Sequence, residues 1–191
     1  HMCHVSTKEA VDAIRMSRLR GARVSCEVTP HHLWFDDSRL QYKVNPPIRK
    51  AEDVTALIDA IKDGTVTCIG TDHAPHTAEE KQNGAAGMVG LETAFGVCYT
   101  KLCREQRLPL ELLSFLMSAG PAAVMGLADR KGLIAPGYDA DLVLVDLDHM
   151  YEVSADELHS KSKNCPYDGA LLYGKVVTTL KGGKVTFQIE E

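Results

Sequence analysis

The segment IGTDHAPHTAEEK, from Ile69 to Lys81, sets an aspartate, two histidines and three further ionisable groups directly behind a short apolar run. Neutral imidazole nitrogens and carboxylate oxygens are the donors that hold a divalent ion such as zinc, and a catalytic zinc keeps one position for water. Asp72, and His4 in CHVST, have the right donor types for such a site. Singly, each is weak: a lone histidine among apolar neighbours is more often a hydrogen-bonded core residue, and Asp-His pairs occur in many loops. Position strengthens them, because His4 precedes a helix start, while His31-His32 and Asp72 follow stretches that read as strands.

The positioning elements follow from periodicity. Ser6-Thr7-Lys8-Glu9 has the spacing of a capping box, and Ala10, Val11, Ile14 and Met16 continue it as a helix that should stop at Gly21. Val24 to Val28 reads as a strand closed by Pro30. Val54, Leu57, Ile58 and Ile61 form the apolar stripe of an amphipathic helix ending at Gly64, and Thr65 to Thr71 reads as a buried strand. Helices are expected at about Leu91 to Glu105, Leu110 to Met117 and Pro121 to Gly126. Beyond Lys131 the pattern turns to β: LIAPGYDADLVLVDLD has a Gly-containing turn followed by apolar β-branched alternation, and KVVTTLKGGKVTF reads as two strands joined around Gly182-Gly183.

Alternating strands and helices imply parallel βα units, in a doubly wound sheet or in a (β/α)₈ barrel. Polar residues gathered at successive strand ends favour the barrel, whose active site lies on that face. The expected fold is thus α/β: residues 3–132 as the C-terminal portion of a barrel carrying half of an active site, and 133–191 as part of a small β-rich domain. His1-Met2 reads as a cloning-tag remnant outside the fold, and CHVST begins inside an organised pattern, so a longer parent is expected upstream.

Composition excludes several function classes. The 191 residues are 45% hydrophobic with a formal net charge of −5 and no basic stripe, which argues against a nucleic-acid partner. No apolar run approaches the roughly 20 residues needed to span a bilayer, no leader is evident, and a cytoplasmic location is expected. Cys3, Cys26, Cys68, Cys98, Cys103 and Cys165 form no C-x-x-C pair and should be reduced thiols.

Five segments in order carry a resemblance: His4-Val5-Ser6-Thr7; Cys26-Glu27-Val28-Thr29-Pro30-His31-His32-Leu33; Asn45-Pro46-Pro47-Ile48-Arg49; Thr71-Asp72-His73-Ala74-Pro75-His76-Thr77 with Glu80-Lys81; and Gly87-Met88-Val89-Gly90-Leu91-Glu92-Thr93. Together they resemble the dihydroorotases related to dihydropyrimidinases and allantoinases, within the amidohydrolase superfamily. The likeness continues through Ala140-Asp141-Leu142-Val143 and Asn164-Cys165-Pro166-Tyr167-Asp168-Gly169, and covers the last half of a family member. The family's histidine-x-histidine motif, its bridging lysine or aspartate, a further histidine ligand and its carboxylate-binding arginine have no counterpart here.

The resemblance implies a zinc-dependent, reversible hydrolysis of L-dihydroorotate to N-carbamoyl-L-aspartate in pyrimidine synthesis. It makes His4 a metal ligand and Asp72 both ligand and proton shuttle. Asn45, His76, the Gly87 loop and His32 become substrate contacts, with one of His31 and His32 left to packing. It also admits a homo-oligomer, a hydantoinase, dihydropyrimidinase or allantoinase as alternative enzyme, or a non-catalytic subunit that scaffolds aspartate transcarbamoylase. Alone, a chain with two of the ligands is expected to lack turnover, to hold zinc weakly and to self-associate. His73 reads as structural, Arg49 as a loop support or a solvent-facing residue, and Glu79, Glu80 and Lys81 as a solvated turn. Ala119-Gly120-Pro121-Ala122 stands where the family usually has Asn-Pro-Ala, leaving a local helix cap in doubt.

Overall fold

A computed structural model describes residues 1–189. Its first part is a three-segment parallel sheet with helices packed on it. β1 (Glu27–Val28) pairs in parallel with β2 (Cys68–Ile69), in the register Glu27 with Cys68 and Val28 with Ile69. On the other side of β1 the chain start runs parallel too: Met2 bridges Cys26, and Val5 N–H donates to Glu27 O at 2.9 Å. Met2, read with His1 as a tag remnant on sequence grounds, pairs at this edge, its N–H on Ser25 O.

Both strands are shorter than the apolar runs suggest. At the entry to β1, the Cys26 N–H turns to the Thr67 hydroxyl (3.3 Å), so a side chain takes a place the ladder would fill. At the far end Asp72 leaves extended geometry altogether, with φ of 49°.

α1 (Lys8–Leu19) and α3 (Ala51–Lys62) bury Val11 and Ile14, and Leu57, Ile58, Ala60 and Ile61, against Val5, Cys26, Val28, Val66 and Ile69. The expected capping box at Ser6 is absent. Thr7 caps α1 through the Ala10 N–H, and Ser6 is buried with its hydroxyl facing the Arg49 guanidinium at 3.4 Å. Pro30 ends the β1 strand by opening α2 (Pro30–Trp34), where its missing N–H costs nothing.

The charge run at 79–81 is helical rather than a turn, with Glu79 and Glu80 exposed and Lys81 half-buried. α4 (Ala78–Gln82) is started by a true capping box in which Thr77 and Glu80 exchange bonds. α5 (Ala94–Cys98) runs on into a π-helical stretch, Tyr99–Glu105. It begins three residues later than the apolar pattern suggests, because the Gly90 and Leu91 N–H groups are drawn to His73 Nδ1, each at 3.2 Å. The two helices expected next are one continuous rod: α6 (Leu110–Ser114), a π-helical stretch (Phe115–Ala119) and α7 (Gly120–Val124). Gly120 explains the departure from Asn-Pro-Ala, since a Cβ there would lie 2.2 Å from Thr67 O. The rod presses its backbone onto the strand that enters β2, and no side chain fits between.

The second part is an antiparallel sheet in the order β3 (Leu142–Glu152), β4 (Leu171–Lys181), β5 (Lys184–Gln188), turned at Gly182-Gly183 as the sequence indicates. A second core joins it to the helices: Leu172, Val153, Cys165 and Tyr167 pack with Val44, Met88, Val89 and Val97. All six cysteines are free. Among the described residues no helix is long and apolar enough to cross a membrane.

Candidate functional site

Three non-glycine residues have positive φ among those described: His4 (53°), Asp72 (49°) and Arg107 (57°). Residues other than glycine rarely hold this conformation, and it persists where surrounding structure imposes it, often at functional sites. Two of the three are the residues singled out for metal chemistry. Each ends its strand, the two strands flank β1, and the turned backbone aims both side chains at one point: His4 Nε2 lies 3.5 Å from Asp72 Oδ1. Two donors on one tetrahedral zinc, each bonded at about 2.0–2.1 Å, would stand about 3.4 Å apart, so the spacing fits a shared ion.

The other side of the His4 ring meets a group that sequence reasoning missed. Glu27 Oε1 lies 2.7 Å from His4 Nδ1, a close contact without the alignment of a hydrogen bond, and Glu27 Oε2 lies 3.2 Å from His1 Nε2. A carboxylate behind an imidazole fixes which nitrogen faces the metal position. The signal was Glu27 itself, a lone acid inside the apolar strand CEV. His1, Cys3 and Glu27 also bring donor atoms within 4.8 Å of one another, the one such three-residue group among the described residues, on the more exposed flank of His4.

Of the histidine pair, the structure turns His31 toward Asp72 and His32 away from it. His31 is 1% exposed, its Nε2 lies 3.8 Å from Asp72 Oδ2, and neither ring nitrogen has a hydrogen-bond partner. Burial, with help from His32 and His4, pushes its pKa down to about 3, so the ring is neutral. His32 is satisfied on both sides, by the Thr29 hydroxyl at 2.7 Å and by Pro46 O at 3.0 Å. It braces the loop that carries Asn45. Of the two, it is His31 and not the preferred His32 whose ring faces the carboxylate. Alternation decides this, because two adjacent residues of a short helix point different ways.

Asn45 is exposed on the loop above, joined to Pro46 by a cis peptide. His76 Nε2 pairs with Ala86 O at 3.0 Å and its N–H with Asn164 Oδ1 at 3.4 Å. Gly87 has φ of 140°, and a Cβ there would lie 2.7 Å from Ala74 Cβ, so this loop crosses the His76 segment where no side chain is admitted. His73 is structural, as expected, holding Gly90 and Leu91. Arg49 supports the chain start through Ser6. Burial raises the Asp72 pKa, more than His4 lowers it, and Glu27 adds to the rise. A carboxylate whose proton affinity is increased in this way is a better base.

The sequence pattern of the amidohydrolase family matches residues 1–186. A dihydroorotase of Clostridium botulinum is 52% identical over 188 residues, 98% of this chain and 47% of that protein. A dihydroorotase of Lactobacillus johnsonii is 43% identical over 198 residues, 98% of this chain and 46% of that protein. Among solved structures, the L-hydantoinase (dihydropyrimidinase) of Arthrobacter aurescens superposes with a TM-score of 0.93 at 33% identity, over 99% of this chain and 45% of that one. The chain spans about half the length of the curated relatives it matches.

Proposed function

The chain belongs to the amidohydrolase family, and from that premise we propose that it is the C-terminal part of a dihydroorotase built on a (β/α)₈ barrel. The enzyme hydrolyses the cyclic amide of L-dihydroorotate reversibly to N-carbamoyl-L-aspartate. The observation that carries this reading is the convergence of His4 and Asp72 from parallel strand ends, both in left-handed backbone. It is supported by 52% identity to a named dihydroorotase, against 33% to a named hydantoinase.

His4 Nε2 and Asp72 Oδ1 would hold the zinc, and the donor types and their 3.5 Å separation fit it. When bound, zinc supplies a Lewis acid that activates water and polarises the ring carbonyl. Glu27, 2.7 Å from His4 Nδ1, would steer the ring so that Nε2 faces the metal position. Asp72 takes the proton of the attacking water and passes it to the ring nitrogen as the carbon–nitrogen bond breaks. In the reverse direction it takes the proton from the carbamoyl nitrogen. Asn45, His76 and the backbone at Gly87 contact the substrate, and His32 takes part through the Asn45 loop it holds. The remaining metal ligands and the anchor for the substrate carboxylate would come from parts of the full-length protein outside these residues, so that residues 1–191 alone would turn over nothing and hold zinc weakly. The protein would act in the cytoplasm as a homo-oligomer, and association with aspartate transcarbamoylase rests on the resemblance alone.

The structural likeness to hydantoinases favours a second reading, hydrolysis of five- or six-membered cyclic ureides. Assaying the full-length protein against dihydroorotate, hydantoin and allantoin decides between them. Preference for dihydroorotate supports the first reading, preference for hydantoin or allantoin the second, and turnover of none of them refutes both.

A further inference from the structure

The HAPHTAEEK run ends in a lysine whose surroundings are unlike those of a surface charge. Lys81 Nζ donates to three backbone carbonyls, Lys43 O at 3.0 Å, Ala85 O at 3.0 Å and Gly87 O at 2.8 Å, and lies 4.2 Å over the Tyr42 ring. An ammonium has three protons, and here each has an acceptor that is main chain and not carboxylate. Burial lowers its pKa, with Lys43 adding to the effect.

Those acceptors belong to the segments that bear the substrate contacts. Lys43 is two residues before Asn45, and its carbonyl also receives the Gly87 N–H at 3.0 Å. Gly87 O receives Asn164 Nδ2 at 3.2 Å, and Asn164 Oδ1 receives the His76 N–H at 3.4 Å. Asn164 O in turn accepts Tyr42 Oη at 3.2 Å and the Val89 N–H at 3.1 Å. The ammonium is therefore the cationic centre of a knot joining residues 42–45, 76–89 and 162–164. Around Lys43 and Gly87 the strand-like pairing among the described residues is a single parallel bridge, His73 with Met88. Without Lys81, three carbonyls would lose a charged donor together.

We propose that Lys81 is a positioning residue: it sets the spacing of the Asn45, His76 and Gly87 contacts and thereby governs affinity for the substrate, while the proton transfer at Asp72 proceeds without it. The proposal rests on the dihydroorotase reading for the identity of the substrate, but not for the clasp. A residue that orders the ground-state contacts shows its loss in KM, and one that takes part in chemistry shows it in kcat.

The test uses full-length protein with Lys81→Met and Lys81→Arg. Lys81→Met should raise KM for dihydroorotate at least about tenfold with kcat within about threefold, and Lys81→Arg, which keeps the charge but replaces a compact ammonium by a planar fork, should recover the KM only in part. Amide hydrogen exchange supplies the readout independent of catalysis. The Gly87 and Val89 amides should exchange about tenfold faster in Lys81→Met, while the Gly70 amide, bonded to Val28 O in the sheet, stays as in the wild type. Unchanged KM with unchanged Gly87 exchange would overturn the proposal. So would equal acceleration at Gly70, which would make Lys81 a general support of the fold. If the wild type hydrolyses no cyclic amide, the functional reading fails, and Gly87 and Val89 exchange alone decides the clasp.

Discussion

Asp72 and Asp141 are both carboxylates set beside nitrogen bases, one at the end of a parallel strand and the other at the edge of the antiparallel sheet. Asp141 meets Lys131, Lys181 and the Gly182 N–H, which hold its pKa well below the usual carboxylate range. Asp72 meets one imidazole at 3.5 Å and another at 3.8 Å, has no donor at hydrogen-bond distance, and is pushed upward by burial. The two regions therefore use their polar groups differently. The β3–β5 sheet pairs its charges, whereas His4 and Asp72, both half-buried in left-handed backbone, face one another without an aligned hydrogen bond. Such backbone persists where the surrounding structure imposes it.

Substituting the two aspartates tests this contrast. In full-length protein, Asp72→Asn should lower kcat by about 10²–10⁴-fold in both directions, because the amide cannot carry the proton. The fold should survive, since asparagine tolerates the left-handed conformation as well as aspartate does. Steady-state rates with a thermal melt check both halves, and near wild-type turnover would place the base elsewhere.

A smaller effect is expected from the scaffold under the strand ends. Gly120→Ala drives a methyl toward Thr67 O and should cost about 1–3 kcal/mol, read from a denaturant midpoint. A shift of zero would show that the rod does not press on the strand entering β2.

The smallest effect belongs to Asp141→Asn, which should leave activity unchanged and lower the melting temperature modestly at neutral pH. A carboxylate with a depressed folded-state pKa stabilises fully above its unfolded value of about 3.9 and loses that stabilisation as pH falls toward the folded value. The gap between wild type and variant should therefore narrow on acidification below about pH 4. A gap that widens there would reverse the assignment.

Much of this arrangement is visible in the sequence, for physical reasons that also define what is hidden. His4 and Asp72 stand out because a polar group set directly against an apolar run costs desolvation unless something at that place binds it. The β3–β5 region stands out because alternation and Gly182-Gly183 are local signals. Which of His31 and His32 faces Asp72 depends on the rotation of a five-residue helix, which no periodicity fixes. Glu27 hides because one acid in a short strand looks like ordinary alternation. Lys81 hides inside a charge run, although Thr77 and Glu80 already spelled the capping box of the helix that carries it. Gly120 gains its meaning only from the carbonyl of Thr67 across the fold.

Everything proposed for the strand ends depends on His4 and Asp72 sharing a metal. Anomalous diffraction at the zinc edge, on crystals of the full-length protein with zinc present, addresses this without any assay. A peak is expected between His4 Nε2 and Asp72 Oδ1, lost in the paired variant His4→Ala with Asp72→Ala. A zinc peak held by His1, Cys3 and Glu27 with none between His4 and Asp72, or no peak near these strand ends, would contradict it.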